Sequence, residues 1–318
     1  MRAAERFDPA VRRLAWRAAS SQTLAELLAE ARARLADDER FESALWHGGL
    51  HVCGRPLRLG AAPREVPAGS WIRLYVFERE PEPVPLRPGA VLYEDADLLA
   101  VAKPAWLTMQ GSHASQRLSL EAALRARRAA PGLVAVHRLD RQTSGVALFA
   151  KGPGAARALG RAFAERRVTK RYLALVSPAP DEDAFEVRGA IVPAPHPQRP
   201  RFALAPEGAP GRGSHARFRV LRRAGPRALV LAEPTTGRTH QLRVQLAARG
   251  APIVGDDLYG PPHARGAASA AERVQLHAWQ LGLPALGGRP PLALEAPLPP
   301  DLEFTEVPAL VTCPVPPW

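Results

Sequence analysis

Residues 136–145 read VHRLDRQTSG, a single carboxylate set among cations. Asp140 follows Arg138 by two positions and directly precedes Arg141. Flanking guanidinium groups favour the ionised carboxylate, because nearby opposite charge stabilises it. An ionised Asp suits nucleophilic or electrostatic work better than acid catalysis. The same arrangement fits a structural Arg–Asp pair fixing a loop, and from this stretch alone both readings stand. Thr143 and Ser144 can close a turn through side-chain-to-backbone bonds, and Gly145 can supply a positive φ.

A second cluster is TTGRTHQLRVQL, residues 235–246. A turn at Gly237 feeds Arg238 and His240 into the start of a helix, where unpaired N–H groups and cationic side chains suit a phosphate. Arg243 lies about one turn further in, on the flank expected to be buried. A cation there needs a carboxylate partner, and Asp140 would fit. The bland alternative is a solvated basic helix face. In KRYLALV, strand alternation puts Lys170, Tyr172 and Ala174 on one face. Tyr172 could stack on a base or move a proton, or it could be an ordinary half-buried aromatic. GDDLYG, residues 255–260, offers Asp256 and Asp257, which resemble metal ligands only weakly.

These residues need elements to hold them. Residues 20–36 carry leucines at helical spacing behind Ser/Thr capping candidates. The N-terminal stretch MRAAERFDPAVRRLAWR reads as an amphipathic surface helix, and LWHGGLHVCGRPL and SWIRLYVFE as short β-rich runs. EREPEPVPLRPGA, residues 78–90, is rich in proline and charge and marks a linker. The division expected is therefore an N-terminal module, residues 1–85, and a larger domain, residues 86–318. In the larger domain, residues 90–104 predict a hairpin and residues 119–130 a short helix before Pro131. VAVHRL and VALFAK flank Asp140 as strands, followed by a helix over residues 152–167. KRYLALVS, ALVLAEPT and LHAWQLGLP predict strands. Residues 239–250 predict a helix with Thr239 as N-cap and Gly250 just past its end. Without strict β-α-β alternation the fold class is α+β, with a largely antiparallel or mixed sheet.

The 318 residues, 46% hydrophobic, can bury a substantial core. Lys plus Arg total 43 against 31 Asp plus Glu, a net charge of +12 that favours polyanionic partners. Cys53 and Cys313 lie far apart, and no CxxC or HExxH spacing occurs, so neither a disulfide framework nor a zinc site is expected. No apolar run approaches a membrane span and no signal peptide is evident, which points to the cytoplasm.

The ordered succession VLYEDADLLAVAKPAWL, HRLDRQTSGVALFAK, KRYLALV, GRTHQLRVQLAARGAPIVGDDLYG and LHAWQLGL resembles the RluA-type family of RNA pseudouridine synthases. The likeness runs from about residue 90 to about residue 303, roughly two-thirds of the chain. It implies the pseudouridine synthase fold, with a central mixed, largely antiparallel sheet and flanking helices. It also implies isomerisation of uridine in ribosomal or transfer RNA to pseudouridine, with no metal or other cofactor. Partners are RNA alone, with no membrane and no obligatory protein partner, and the protein is expected to be a monomer. By the same resemblance Asp140 is the catalytic nucleophile, Tyr172 the active-site tyrosine and Arg243 the basic partner of the Asp. Arg138, Arg141, Arg238 and His240 are the candidate RNA contacts. Departures from the family pattern are Gln142 for an acidic residue, Gln245 for a His, Ser177 for a Gly, and AWLTMQG in place of the usual stretch after Lys-Pro. The N-terminal module resembles the small ribosomal-protein-type RNA-binding domain. The contrasting function is a catalytically silent RNA-binding or ribosome-assembly factor on the same fold, against which Asp140, Tyr172 and Arg243 speak. A glycosidic hydrolase would want a second carboxylate across the bond, and none is evident.

Overall fold

The computed structural model describes residues 10–57, 65–195, 201–260 and 273–302. The chain divides into two compact units, residues 1–84 with 106–131, and residues 85–105 with 132–318.

In the first unit the elements run β1 (Val11–Arg17), β2 (Gln22–Thr23), α1 (Leu24–Leu35), α2 (Asp38–His47), β3 (Leu50–Val52), β4 (Arg55–Pro56), β5 (Glu65–Val66) and β6 (Trp71–Phe77), then α3 (Leu120–Arg128). Thr23 caps α1 in a reciprocal capping box with Glu26, which fixes the helix start. Asp37 caps α2, and Gly48, at φ 74°, ends it. Leu45 to His47 therefore close a helix rather than open a β-rich run. The N-terminal helix is also corrected. Residues 1–9 lie outside the described residues, and residues 11–17 are strand β1, paired antiparallel with β6 from Val11↔Phe77 to Arg17↔Trp71. The reason is a period of two: Leu14 and Trp16 face the core, while Arg13, Ala15 and Arg17 face away. The sheet order is β1-β6-β3-β4, and its inner face packs Ile72, Leu74 and Leu50 against Leu27, Ala31 and Phe41 of the helices.

The expected cut after residue 85 falls in a segment without regular structure, but residues 106–131 group with the first unit. Hydrogen bonds account for that. Gln116 N donates to His47 O at 2.8 Å, His51 Nε2 to His113 O at 2.9 Å, and Arg117 Nε to Trp46 O at 2.7 Å.

The second unit is built on β7 (Val91–Glu94), β8 (Leu98–Lys103), β9 (Val134–Ala135), β10 (Ser144–Ala150), α4 (Pro153–Ala164), β11 (Thr169–Val176), β12 (Ala184–Ala194), β13 (Arg201–Ala205), β14 (Arg212–Ala224), β15 (Arg227–Pro234), α5 (Gln241–Ala248), β16 (Leu276–Leu283) and β17 (Leu292–Glu295). One sheet runs β13-β12-β14-β15-β11-β16-β10-β8-β7, with β17 on β16 and β9 on β10. Among the described pairs β10 and β16 are parallel and the others antiparallel, so this is an α+β fold with a mixed, largely antiparallel sheet. The hairpin predicted over residues 90–104 is β7 and β8, and the helices predicted at residues 119–130 and 152–167 are α3 and α4. One face of the sheet buries Ala174, Val176, Val230 and Ala232 against Leu242 and Leu246 of α5. That packing sets the helix carrying Arg243 against the strand carrying Tyr172.

Candidate active site

Asp140 lies in the turn that enters β10, its carbonyl accepting from Thr143 N at 3.0 Å. Two devices fix this turn. Gly145 has φ 117°, and a Cβ there would sit 2.1 Å from Ala278 O, so any side chain would push the parallel strands β10 and β16 apart. Gln142 Oε1 accepts from Val274 N at 2.8 Å, and Ser144 Oγ lies 2.9 Å from His277 Nδ1. The side-chain amide at position 142 thus accepts a backbone N–H, while its backbone carbonyl accepts from Nη1 of the buried Arg273 at 3.4 Å.

Arg243 reaches Asp140, but Asp140 is its lesser partner. Its Nη1 is 3.5 Å from Asp140 Oδ2, whereas Nε and Nη2 bind Asp256 at 2.7 and 2.8 Å in a bidentate fork. Burial opposes the charge, yet the Asp256 bonds and then Asp140 hold the guanidinium pKa above its ordinary value. Asp256, fully buried, also accepts from Leu258 N and Tyr259 N. It is therefore the anchor of Arg243 and not a metal ligand. Among the described residues no three His, Cys, Asp or Glu side chains gather to hold a metal.

His240 Nε2 lies 4.0 Å from Asp140 Oδ1 on the other side. Burial lowers its pKa, with Asp140 opposing and Arg243 adding to the shift, so the ring is driven towards neutrality rather than the cationic form expected from sequence. Tyr259 Oη accepts from Phe202 N at 3.1 Å and lies 2.8 Å from His240 Nδ1. Its own hydrogen is then free for Nδ1, which leaves the imidazole proton on Nε2, facing Asp140. The N-cap of α5 is His240 in the left-handed region, φ 56°, and not Thr239. No side chain caps the helix. Gln241 organises the preceding turn, its Oε1 accepting from Thr236 Oγ1 at 2.7 Å and Arg238 N at 3.1 Å while Nε2 donates to His215 O.

Asp140, Tyr172, His240 and Arg243 open into one cleft of about 580 Å³. Tyr172 comes from β11, beside an irregularity where Arg171 pairs Gln280 and Tyr172 pairs Ala278. Burial pushes its phenol pKa up and Asp140 pushes it further, so the hydroxyl stays protonated through the neutral range. Arg138 and Arg238 line the same cleft, with Arg166, Lys170 and Arg212. Arg141 does not. Its carbonyl accepts from Lys103 Nζ at 3.2 Å. Lys103 is the residue sequence reasoning missed most plainly. It ends β8, is fully buried, and has a pKa lowered to about 7 by burial, with Asp140 opposing the shift. The signal was available: an apolar run, LLAVA, closing on a charge. Gln245, another departure, is also fully buried and its Nε2 donates to Val187 O at 3.1 Å and Ser214 Oγ at 3.2 Å.

A single carboxylate held between a fixed guanidinium and a neutral imidazole, beneath a tyrosine and a cationic rim, can attack an electrophilic carbon of an anionic polymer. Residues 97–248 match the family model described as RNA pseudouridylate synthase. The dual-specificity RNA pseudouridine synthase RluA of Vibrio cholerae is 39% identical over 192 residues, 60% of this chain and 75% of that one. The ribosomal large subunit pseudouridine synthase C of the same organism is 35% identical over 215 residues, 67% of each chain. Among solved structures, human RNA pseudouridylate synthase domain containing 1 superposes with a TM-score of 0.56 at 32% identity, covering 69% of this chain and 89% of that one. The chain belongs to the RluA-type family of RNA pseudouridine synthases, enzymes that isomerise uridine within RNA.

Proposed function

We propose that Asp140 is the nucleophile of this pseudouridine synthase, acting on a uridine of structured ribosomal or transfer RNA. The observation that supports it is the convergence on Asp140 of Arg243 at 3.5 Å and His240 at 4.0 Å, with Tyr172 in the same cleft. The target uridine leaves its stack to enter, since a paired base cannot present its glycosidic bond to a carboxylate in a cleft. Asp140 adds covalently to the nucleotide, at the ribose C1′ or the uracil ring, and the C1′–N1 bond breaks. The base turns and C1′ bonds to C5, the bond to Asp140 breaks and returns the free carboxylate, the C5 hydrogen leaves as a proton and N1 takes one up. Arg243 stabilises the carboxylate before and after the covalent step. Because the Tyr172 phenol is protonated, it serves as a stacking surface and takes the C5 proton only while passing its own on. Arg138, Arg238 and the N–H groups around Gly237 hold phosphates. The names of the relatives, one dual-specific and one acting on the ribosomal large subunit, support ribosomal or transfer RNA as the substrate. The reading includes a monomer working in the cytoplasm.

The test is release of tritium from RNA labelled at uridine C5, which must accompany formation of the C1′–C5 bond. Wild type releases it, and Asp140→Asn releases none while binding the RNA within a few-fold of wild type. Release by the Asn variant at the wild-type rate would refute the nucleophile role.

A further inference from the structure

The four-stranded sheet of the first unit has one face on the helices and one turned away from them. Residues whose side chains alternate outward are Arg13, Ala15 and Arg17 on β1, Trp71, Arg73 and Tyr75 on β6, and His51 on β3. Register places Arg13 beside Tyr75, Ala15 beside Arg73, and Arg17 beside Trp71, with His51 beside Arg73 on the other side. Trp71 is 45% exposed, and the Arg17 guanidinium lies over its ring at 4.8 Å. Tyr75 stacks on His113 at 5.3 Å with the rings 14° from parallel. No outward position on β1, β3 or β6 holds a carboxylate.

The two sides of this unit differ in how their cations are neutralised. On the helical side Arg32 pairs with Asp38 and Glu42, Arg34 with Glu30, and Arg40 with Asp37. On the sheet side Arg13, Arg17 and Arg73 have no carboxylate partner among the described residues. Their positive charge is left for a ligand, and Trp71 offers an exposed π-face among them, while Tyr75 is half-buried against His113 and His51 is buried. Phosphates spaced along a chain, with bases that can stack, match that combination. A duplex, whose bases are already stacked, does not.

We propose that this outer sheet face is a binding platform for single-stranded RNA flanking the target uridine, with Trp71 stacking on a base and Arg13, Arg17 and Arg73 on the phosphates. It rests on RNA being this enzyme's substrate, as its family membership shows, and is independent of which group in the cleft is the nucleophile. Trp71 is well exposed, so its substitution leaves the core of Trp16, Ile72 and Leu74 intact.

The experiment uses the full chain and an oligouridylate of about 12 nucleotides, within the span that such surfaces cover. Binding is followed by Trp fluorescence quenching and by anisotropy of labelled RNA, with a duplex of equal length for comparison. Trp71→Ala is expected to weaken oligouridylate binding about tenfold, and Trp71→Phe to keep the affinity, since the ring remains, while losing most of the quenching. Arg17→Gln should weaken binding severalfold, and Arg40→Gln, the same charge change on the helical side, should leave it unchanged. Thermal melting of each variant confirms the fold. Affinity within twofold of wild type for both Trp71→Ala and Arg17→Gln overturns the proposal. So does an equal loss of duplex affinity, which would show phosphate contact without stacking, or a wild-type dimer that Trp71→Ala splits. Oligouridylate affinity is read without turnover, so this result and the tritium-release test of Asp140 can fail separately.

Discussion

At the scale of single residues, the site shows how three neighbours restrict one carboxylate. Asp140, the proposed nucleophile, can act only if it is neither neutralised nor sequestered. A tight bidentate pair with Arg243 would spend both its oxygens. Asp256 prevents that by taking the two inner donors of the guanidinium, which leaves Nη1 to orient Asp140 from 3.5 Å. The sequence shows an Arg near the core in need of an acid and points to Asp140, whereas the fold gives Asp256 the closer, bidentate pairing. Tyr172 allows a clean test of role. Tyr172→Phe keeps the ring and the fold, and we expect single-turnover rates to fall by ~10²–10⁴, the usual worth of acid–base assistance. A structural hydroxyl would instead cost about 0.5–1.5 kcal/mol of stability and leave turnover near normal. A well-folded Phe variant that turns over within a few-fold of wild type would reduce Tyr172 to a stacking surface.

At the scale of elements, the strands and helices nearest the site were the legible ones. α4 carries a clear period because it buries one face, whereas β8 and β16, buried at nearly every position, announce themselves as mostly apolar runs. Less was legible where context decides. Residues 11–17 satisfy a helical reading until β6 supplies a partner strand. Residues 38–47 hide a helix behind four charged residues in DERFE, and its buried face is only Phe41, Ala44 and His47. Strand β14 is rich in arginine and β12 contains Pro193, so no clean local pattern announces them. A half-buried histidine, His137, and a buried one, His277, give this unit a pH dependence. His137 Nε2 accepts from Leu148 N at 3.0 Å, which requires the unprotonated nitrogen. Burial lowers its pKa to about 4, with a smaller push from Lys170, and burial does the same to His277. The folded values lie below the unfolded ones, so between about pH 6.5 and 4 the unfolded chain binds protons that the folded chain refuses. Stability is therefore full above pH 6.5 and falls as the pH drops towards 4, by up to about 3 kcal/mol for each residue. Melting temperatures across this range should decline, and His277→Gln should flatten the decline. A melting temperature constant from pH 7 to 4.5 would contradict these assignments.

At the scale of the whole molecule, charge and chain path matter more than any single contact. The net charge of +12 was legible at once, but its placement was not. In the second unit, cations crowd the cleft closely enough that burial, Arg166 and Arg238 together lower Lys170 to about 8. Such crowding is relieved by phosphate. RNA affinity should fall linearly on a log–log plot against salt through counterion release, and a flat plot would contradict a phosphate-dominated interface. The chain path changes how the first unit can be studied. Deleting residues 1–85 would strip residues 106–131 of the partners they hydrogen-bond, so point variants on the intact chain are the sounder probe.

The most direct measurement is a pseudouridine map of cellular RNA from a strain lacking this protein, complemented with wild type or with Asp140→Asn. At least one uridine should lose its modification in the deletion, regain it with wild type, and stay unmodified with the Asn variant expressed to the same level. Restoration of that site by Asp140→Asn would show that the carboxylate is not the group that performs the isomerisation.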